Sequence, residues 1–245
     1  GFNSVGIQSA GGAGMVLAEW METGNAPIDL WDVDIRRMQP FQANRGYLHD
    51  RVSETLGLLY ADHFPYRQFA SARGVRRSPI HHYLADQGAC FGEVAGWERA
   101  NWFLSEEAVH AGNIAAYQYS WKRQNWFDYS AAEHLAVRQS VGLFDMSSFG
   151  KIKIVGRDAE VVLQRIAAND VAVPVGKIVY TQFLNEAGHI EADVTITRLA
   201  DDEFLVVTPA ATIRRDLHWI TSHIPDDAHA HAIDMTVSES VLAVM

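Results

Sequence analysis

The second half of the chain constrains the fold most, because its apolar residues change repeatedly from a two-residue spacing to a helical spacing. Residues 177–184 and 191–199 alternate like strands, and Asn185-Glu186-Ala187-Gly188 between them is typical of a hairpin turn. The same patterns predict further strands at 151–154, 204–207 and 230–237, and helices at 158–168 and 210–223. The resulting order, β-α-β-β-β-α-β, predicts an α+β fold with helices on one face of a mostly antiparallel sheet.

The first part of the chain is predicted to be mainly helical. Apolar spacing indicates helices near residues 12–22 and 43–60, and Gly24 is expected to end the first of them. A short helix over residues 80–85 has Ser78 as its expected N-cap.

The middle of the chain changes in composition. Residues 97–127 are rich in Trp and Phe among polar residues, which is typical of a connector that packs two domains together. After this connector, Ser130 and Glu133 form a capping-box pattern that predicts a helix to about residue 140.

The first fourteen residues contain five glycines and lead directly into the first predicted helix. Glycine lets the backbone approach a ligand closely, and free N–H groups at a helix start favour an anionic or electron-rich partner. The glycines do not follow the dinucleotide fingerprint G-x-G-x-x-G. A plain turn before a helix is the commoner explanation of such a cluster.

Composition excludes several classes of protein. The 245 residues are 48% apolar and carry a net charge of −10, which favours a folded core and argues against a nucleic-acid surface. The single cysteine, Cys90, excludes an internal disulfide framework, fits a reducing compartment and is expected to be a buried small apolar residue. No apolar run is long enough to predict a membrane span.

Three groups of residues could carry chemistry. Asp193 shares a strand face with two threonines beside the predicted hairpin, where a polar strand face is the ordinary explanation and a catalytic carboxylate the alternative. His229, His231 and Asp234 could contribute to a zinc site, although no further ligand stands at a familiar spacing. An arginine cluster could hold a carboxylate or phosphate, but ion pairs with nearby acidic residues are favoured; its members are Arg73, Arg76 and Arg77.

Three blocks of sequence carry a family resemblance in a specific order. The first is the glycine-rich opening with Leu17-Ala18-Glu19-Trp20; the second contains Arg76-Arg77-Ser78-Pro79 and Gly96-Trp97-Glu98-Arg99; the third begins with the run from Gly142 to Lys151. Together they resemble the flavin-dependent dimethylglycine and sarcosine dehydrogenase or oxidase family. In that family an amine-oxidising flavin domain is fused to a folate domain like the glycine-cleavage T-protein.

The resemblance implies four segments within an internal portion of a longer protein. Residues 1–35 correspond to the last strand and helix of the flavin domain, and residues 36–95 to the small middle domain of the oxidoreductase. Residues 96–129 form the aromatic connector. Residues 130–245 correspond to the first, incomplete part of the aminomethyltransferase-like folate domain.

The resemblance also implies an activity and its site residues. The whole protein would oxidise a small N-methyl amine at FAD and pass the one-carbon unit to tetrahydrofolate. Gly6, Ile7 and Gln8 would form a turn against the pyrimidine edge of the flavin. Asp193 would be the catalytic carboxylate that positions and activates the folate nitrogens, and Phe149 and Tyr180 would line the folate.

Two other functions stay open at this point. The chain could belong to a folate-dependent aminomethyl or methyl transferase, or to a non-catalytic T-protein-like binding module. For the oxidoreductase, the electron acceptor would be oxygen or an electron-transfer flavoprotein. No nucleic acid, membrane or metal is expected as a partner, and the location would be the cytoplasm, or the mitochondrial matrix in a eukaryote.

Overall fold

The structure is a computed structural model and describes residues 5–245. The chain divides into two compact units, one ending at Met38 and the other beginning at Gln39.

From residue 5 onward, the first unit consists of one long helix and two short helical turns. Helix α1 covers Gly6–Thr23, and 3₁₀ turns follow at Trp31–Val33 and Ile35–Arg37. The helix ends where the sequence predicts, because the N–H of Gly24 donates to the Trp20 carbonyl oxygen at 2.8 Å. Its predicted start near residue 12 is wrong. Glycine costs a helix only about 1 kcal/mol per residue relative to alanine, so the cluster at its start does not prevent helix formation.

The second unit contains the remaining elements and a third 3₁₀ turn, Pro40–Ala43. Its helices are α2 Arg45–Tyr60, α3 His81–Asp86, α4 Glu106–His110, α5 Phe127–Gln139, α6 Ala159–Ile166 and α7 Ile213–Ser222. Its strands are β1 Ala89–Val94, β2 Trp97–Phe103, β3 Leu143–Asp145, β4 Gly150–Val155, β5 Ile178–Leu184, β6 Ile190–Ala200, β7 Glu203–Thr208, β8 His231–Asp234 and β9 Leu242–Val244.

A five-stranded antiparallel sheet forms the centre of this unit. Its strand order is β5-β6-β7-β4-β8. Alternate residues on one face join side chains of α6 and α7 in the main core; among them are Ile152, Ile154, Leu163, Phe183, Ile196, Phe204, Val206, Ile213 and Ile220. The predicted α+β class with a mostly antiparallel sheet is therefore confirmed.

A hairpin that the sequence analysis missed lies before the sheet. Strands β1 and β2 pair across the turn Ala95-Gly96, within the segments assigned to the middle domain and the connector. Cys90 is 4% exposed, which confirms the expectation of a buried cysteine. The strands have no clean two-residue alternation in the sequence, because both faces of the hairpin are partly covered.

Two predicted helix starts are wrong. Helix α5 begins at Phe127 rather than at Ser130, and Glu133 accepts a hydrogen bond from the Phe103 N–H at 2.6 Å instead of completing a capping box. Helix α3 begins at His81, so Ser78 is not its N-cap. In both places, packing against the β1–β2 hairpin outweighs the local capping pattern.

No helix in residues 5–245 is long and apolar enough to cross a bilayer.

Candidate functional site

Tyr180, Gln182 and Asp193 lie together on the sheet face opposite helices α6 and α7. Strands β5 and β6 place Gln182 directly opposite Asp193 and Tyr180 opposite Thr195. The Gln182 Nε2 group donates to Asp193 Oδ1 at 3.2 Å, and a hydrogen bond to the same carboxylate raises the pKa of the Tyr180 hydroxyl. The exposed Asp193 carboxylate is therefore bonded by the Gln182 amide and has the Tyr180 hydroxyl beside it.

The sequence produces this cluster through strand alternation. Thr181, Phe183 and Val194 are buried on the helix-covered face, so their neighbours Gln182 and Asp193 must point away from the core. The pairing of β6 with β7 begins at Thr195 opposite Val207, and Asp193 lies before this first pair. The pairing of β6 with β7 therefore does not extend to Asp193.

Phe149 is positioned elsewhere on the sheet. It precedes Gly150, the first residue of β4, and its ring lies 6.0 Å from the Arg99 guanidinium. The lateral row Tyr180, Thr195, Val207 and Lys151 puts the β4 backbone three strand spacings from Tyr180, or about 14 Å. The structure thus brings Tyr180 to Asp193 but does not bring Phe149 to either of them.

Gly6, Ile7 and Gln8 form the first turn of helix α1 and not a coil before it. The first N–H of the helix to find an intrahelical acceptor is that of Ser9, which donates to Val5 O at 3.0 Å. No side chain among the described residues caps this helix start, and its first turn contains no acidic residue. Within residues 5–245, the N–H groups of these three residues have no intrahelical acceptor, as is usual at a helix N-terminus.

Lys151 is a buried charged residue that the sequence analysis missed. It lies on the same sheet face as Tyr180, yet none of its surface is exposed. Its Nζ donates to the Ser147 carbonyl oxygen at 2.7 Å, its backbone N–H donates to Thr236 Oγ1 at 3.2 Å, and burial lowers its pKa. The run of alternating Lys and Ile gave no signal of burial, because it is identical to that of a strand with one solvent-exposed face.

Asp216 is a second missed residue, and here the sequence did contain a signal. It occupies the i+3 position between Ile213 and Ile220, on the apolar stripe of α7. Its carboxylate accepts hydrogen bonds from the hydroxyls of Thr208 and Thr212, and burial raises its pKa. Because it connects the end of β7 to α7, Asp216 is a structural residue near the edge where Asp193 lies.

The arginine cluster separates into different roles. Arg73 forms an ion pair with buried Glu98, which confirms the favoured prediction for that residue. Arg76 lies over the Trp97 ring, with its Cζ atom 4.5 Å from the ring centroid. Arg77 lines a cleft and is considered further below.

The histidine group does not form a metal centre in this structure. His229, His231 and Asp234 are all exposed. Over residues 5–245, no cluster of three or more His, Cys, Asp or Glu side chains has the arrangement needed to hold a metal ion.

Comparison with known proteins identifies the family. Residues 80–245 match the family model of the GCVT N-terminal domain. The chain belongs to this family. Residues 23–78 match the FAD dependent oxidoreductase central domain, so the two matches follow each other in the order expected from the sequence. The recognised resemblance is therefore confirmed.

The GCVT-domain chain is also similar to several curated proteins along most of its length. It is 46% identical over its whole length to 4-methylaminobutanoate oxidase (formaldehyde-forming) of Paenarthrobacter nicotinovorans, of which it covers 29%. It is 34% identical over 82% of its length to mitochondrial sarcosine dehydrogenase of Mus musculus, of which it covers 24%. It is also 35% identical over 96% of its length to the mitochondrial pyruvate dehydrogenase phosphatase regulatory subunit of Mus musculus, of which it covers 27%.

The fold of the GCVT-domain chain also resembles a solved structure. The glycine cleavage system aminomethyltransferase T from Bartonella henselae matches with a TM-score of 0.55 at 23% identity, over 70% of this chain and 40% of that one. This match supports the mixed α/β fold with antiparallel sheets. The chain spans less than a third of the length of the curated relatives described above.

Proposed function

We propose that this chain is part of an FAD-dependent oxidoreductase that removes a methyl group from a small N-methyl amine and delivers the one-carbon unit to tetrahydrofolate. The two family matches in sequence order support the combined activity, and relatives named as N-methyl amine oxidase or dehydrogenase support the substrate class. The observation that carries the folate half of the proposal is the cluster of Tyr180 and Gln182 around Asp193.

Asp193 is the catalytic carboxylate of the proposal. The exposed sheet face at this point offers an anionic acceptor, an amide and an aromatic ring, which suits a flat nitrogen-containing ring such as a pterin. Gln182 and Tyr180 hold the carboxylate in one direction, so that its remaining lone pairs accept an N–H of the folate and then its proton. Tyr180 lines the ring, and Phe149 serves the distal part of an extended ligand because strand β4, which it precedes, lies about 14 Å from Tyr180.

Gly6, Ile7 and Gln8 are proposed to face the pyrimidine edge of the flavin. Their N–H groups at the start of α1 fit an electron-rich edge, because the helix dipole adds positive potential there. FAD, when bound, supplies the acceptor for the hydride equivalent removed from the amine. The contribution of this chain is to donate hydrogen bonds and to stabilise negative charge.

Replacing Asp193 with Asn in the complete protein tests the folate assignment. We expect formation of 5,10-methylenetetrahydrofolate to fall by about 10²- to 10⁴-fold, because the amide cannot accept the proton. Amine-dependent reduction of the flavin should stay unchanged, since Asp193 has no role in that step. The two rates are measured separately, by product analysis and by flavin absorbance.

Asp202→Asn is the matched control, because Asp202 is an exposed acid in the turn between β6 and β7. It should leave both rates unchanged. An unchanged folate rate in Asp193→Asn would contradict the catalytic role. Loss of both rates together would show instead that the substitution damages the whole protein.

A non-catalytic module is the second candidate function. It is favoured by one observation, the 35% identity to a protein named as a phosphatase regulatory subunit. A folate-dependent aminomethyl or methyl transferase without amine oxidation is the remaining alternative. Absence of amine-dependent flavin reduction in the complete protein would favour these alternatives over the oxidoreductase.

The proposed partners and location follow from the same assignment. A small N-methyl amine is the substrate, and oxygen or an electron-transfer flavoprotein is the electron acceptor. A reducing compartment, the cytoplasm or the mitochondrial matrix, is proposed because the sequence has a single cysteine and therefore no internal disulfide framework.

A further inference from the structure

A cleft of about 420 Å³ opens between the segment 73–77, helix α3, the β1–β2 hairpin and residues 115–117. It is called the Arg77 cleft here. Its polar lining includes Arg73, Arg77, His81 and Glu98, and its apolar lining includes Ala89 and Phe91. None of these residues takes part in the site around Asp193.

Arg73 and Glu98 supply the fixed wall of the Arg77 cleft. The Arg73 Nε group donates to Glu98 Oε1 at 2.9 Å, Nη1 donates to the Phe69 carbonyl oxygen at 3.1 Å, and Nη2 donates to the Phe91 carbonyl oxygen at 3.1 Å. Every guanidinium nitrogen of Arg73 is therefore in use. This pair is electrically neutral and contributes rigidity rather than free charge.

Arg77 differs from Arg73, because no carboxylate in the described part of the chain lies within ion-pair distance of it. Its guanidinium packs against Gly74, whose φ is +73°, and a Cβ at that position would overlap the guanidinium. The position of the Arg77 charge is thus set by the absence of a side chain at Gly74. The cleft consequently holds one cation that is not neutralised within residues 5–245.

His81 faces the same space and has an unused polar atom. Its ring stacks on Phe91 with the centroids 4.2 Å apart, and in the described structure its Nδ1 atom is buried without a hydrogen-bond partner. Burial and the nearby Arg77 charge lower its pKa, His82 acts in the same direction, and Glu98 and Asp145 act against them. An anion between Arg77 and His81 would offset the Arg77 charge, which disfavours protonation of His81.

Tyr117 completes the set of donors. Its hydroxyl oxygen accepts from Asn101 Nδ2 at 2.7 Å, which leaves its own O–H able to donate to a ligand. The ring is held in place by stacking on Tyr119, with the centroids 5.6 Å apart. One guanidinium, one imidazole and one phenol hydroxyl therefore converge on a cleft with partly apolar walls.

We propose that the Arg77 cleft binds the carboxylate group of a small organic acid. The planar guanidinium matches a carboxylate in bidentate geometry, and a single free cation with two neutral donors suits one negative charge better than a doubly charged phosphate. The apolar walls suit the short carbon chain attached to the carboxylate. Two sources of such a carboxylate are an N-methyl amino acid and the glutamyl tail of a folate, the ligand classes of the proposed function. The cleft itself does not depend on the role of Asp193, so the two proposals can fail separately.

Arginine modification in the complete protein tests the proposal at the residue itself. The protein is treated with phenylglyoxal, alone and with increasing sarcosine or γ-glutamylglutamate, and modification of each arginine is read by mass spectrometry. We expect saturable protection of Arg77 by at least one of the two acids. Arg214 is the internal control, because it is exposed on α7 outside the cleft and should not be protected.

The chemical arms identify the source of the carboxylate. Protection by sarcosine but not by its methyl ester assigns an amino-acid carboxylate, and protection by γ-glutamylglutamate alone assigns a folate tail. Each result supports a carboxylate site. No protection by either acid, or equal protection of Arg77 and Arg214, overturns it.

Variants give a second measurement of the same site. Arg77→Gln should weaken binding of the protecting acid by about tenfold or more, because it removes the bidentate donor. Gly74→Ala should weaken it as well, by displacing the Arg77 guanidinium, whereas Arg214→Gln should bind normally. Unchanged binding in a folded Arg77→Gln variant would overturn the proposal. If Arg77→Gln does not fold, the phenylglyoxal experiment still tests the proposal, because it uses the unmodified sequence.

Discussion

At the scale of single residues, Asp216 shows how a charged side chain is accommodated in the core. Only 1% of its surface is exposed, and its carboxylate is satisfied by the hydroxyls of Thr208 and Thr212 and by the Arg215 Nε group at 3.1 Å. Burial nevertheless raises its pKa, so the folded protein binds a proton there more strongly than the unfolded chain. The ionised carboxylate therefore depends on its hydrogen bonds. The contribution of Asp216 to the free energy of unfolding falls as the pH rises from its usual pKa through its raised pKa in the folded protein.

We expect Asp216→Ala to lower the free energy of unfolding by about 1–3 kcal/mol, because the buried Thr208 hydroxyl and the half-buried Thr212 hydroxyl lose their acceptor. Urea denaturation at neutral pH measures the change. Asp202→Ala serves as the control, since its exposed carboxylate should contribute less than about 0.5 kcal/mol. An equal loss in the two variants would show that the Thr208 and Thr212 hydrogen bonds add nothing.

At the scale of elements, the turn from β4 into α6 depends on a close backbone approach. Gly156 has a φ of +131°, and a Cβ there would overlap the carbonyl oxygen of His229. Its own N–H donates to the Asp202 carbonyl oxygen at 2.9 Å. The turn thus brings the segment before β8 and the β6–β7 turn against the end of β4.

Gly156→Ala should therefore destabilise the protein more than an ordinary substitution of a glycine with positive φ. Gly176→Ala is the matched comparison, because Gly176 has a φ of +85° and no described atom within 4 Å of an added Cβ. We expect about 1 kcal/mol of backbone strain at Gly176 and about 1–3 kcal/mol more at Gly156, where the His229 backbone must also move. Equal losses in thermal or urea unfolding would contradict the close approach.

The sheet could be predicted from the sequence because one of its faces is fully covered. Ile152, Val194 and Phe183 alternate with polar residues, and that alternation also predicts the direction of Asp193. The β1–β2 hairpin could not be predicted, since neither strand alternates clearly. Burial of Lys151 could not be predicted either, because its hydrogen-bond partners lie outside the strand pattern of β4. Ser147 precedes the strand, and Thr236 is far away in sequence.

The proposed site shows the same division. The pairing of Gln182 with Asp193 follows directly from a hairpin register, so sequence reasoning could place them on one face. The distance of Phe149 from Tyr180 depends on strand order in space, with β4 separated from β5 by two other strands. Sequence order alone does not contain that information.

At the scale of the whole molecule, the residues proposed to face the flavin are few and belong to one helix start. In the described part of the unit that ends at Met38, the groups proposed for this contact are the N–H groups of Gly6, Ile7 and Gln8. A helix N-terminus supplies about 0.5 of a positive charge, which is a weak site without further walls. We therefore expect the rest of the proposed flavin site to come from outside residues 5–245.

We expect this chain, produced by itself, to form no stoichiometric complex with FAD. The measurement is gel filtration of the mixed components with detection of bound flavin, and circular dichroism first establishes that the chain is folded. The complete protein is the positive control. A coloured, stoichiometric complex of the isolated folded chain would show that residues 5–245 already contain a sufficient flavin site.

The pairing of β3 with β9 has a consequence for how the polypeptide reaches its native state. The Gly142 N–H donates to Met245 O at 2.8 Å and the Met245 N–H donates to Gly142 O at 3.0 Å, so these bonds close a loop of more than a hundred residues. Closing such a loop costs on the order of 4 kcal/mol of chain entropy. The local β5–β6–β7 meander can assemble first, and the β3–β9 pair is expected to form late. The same pair should be the first to open under mechanical or thermal stress.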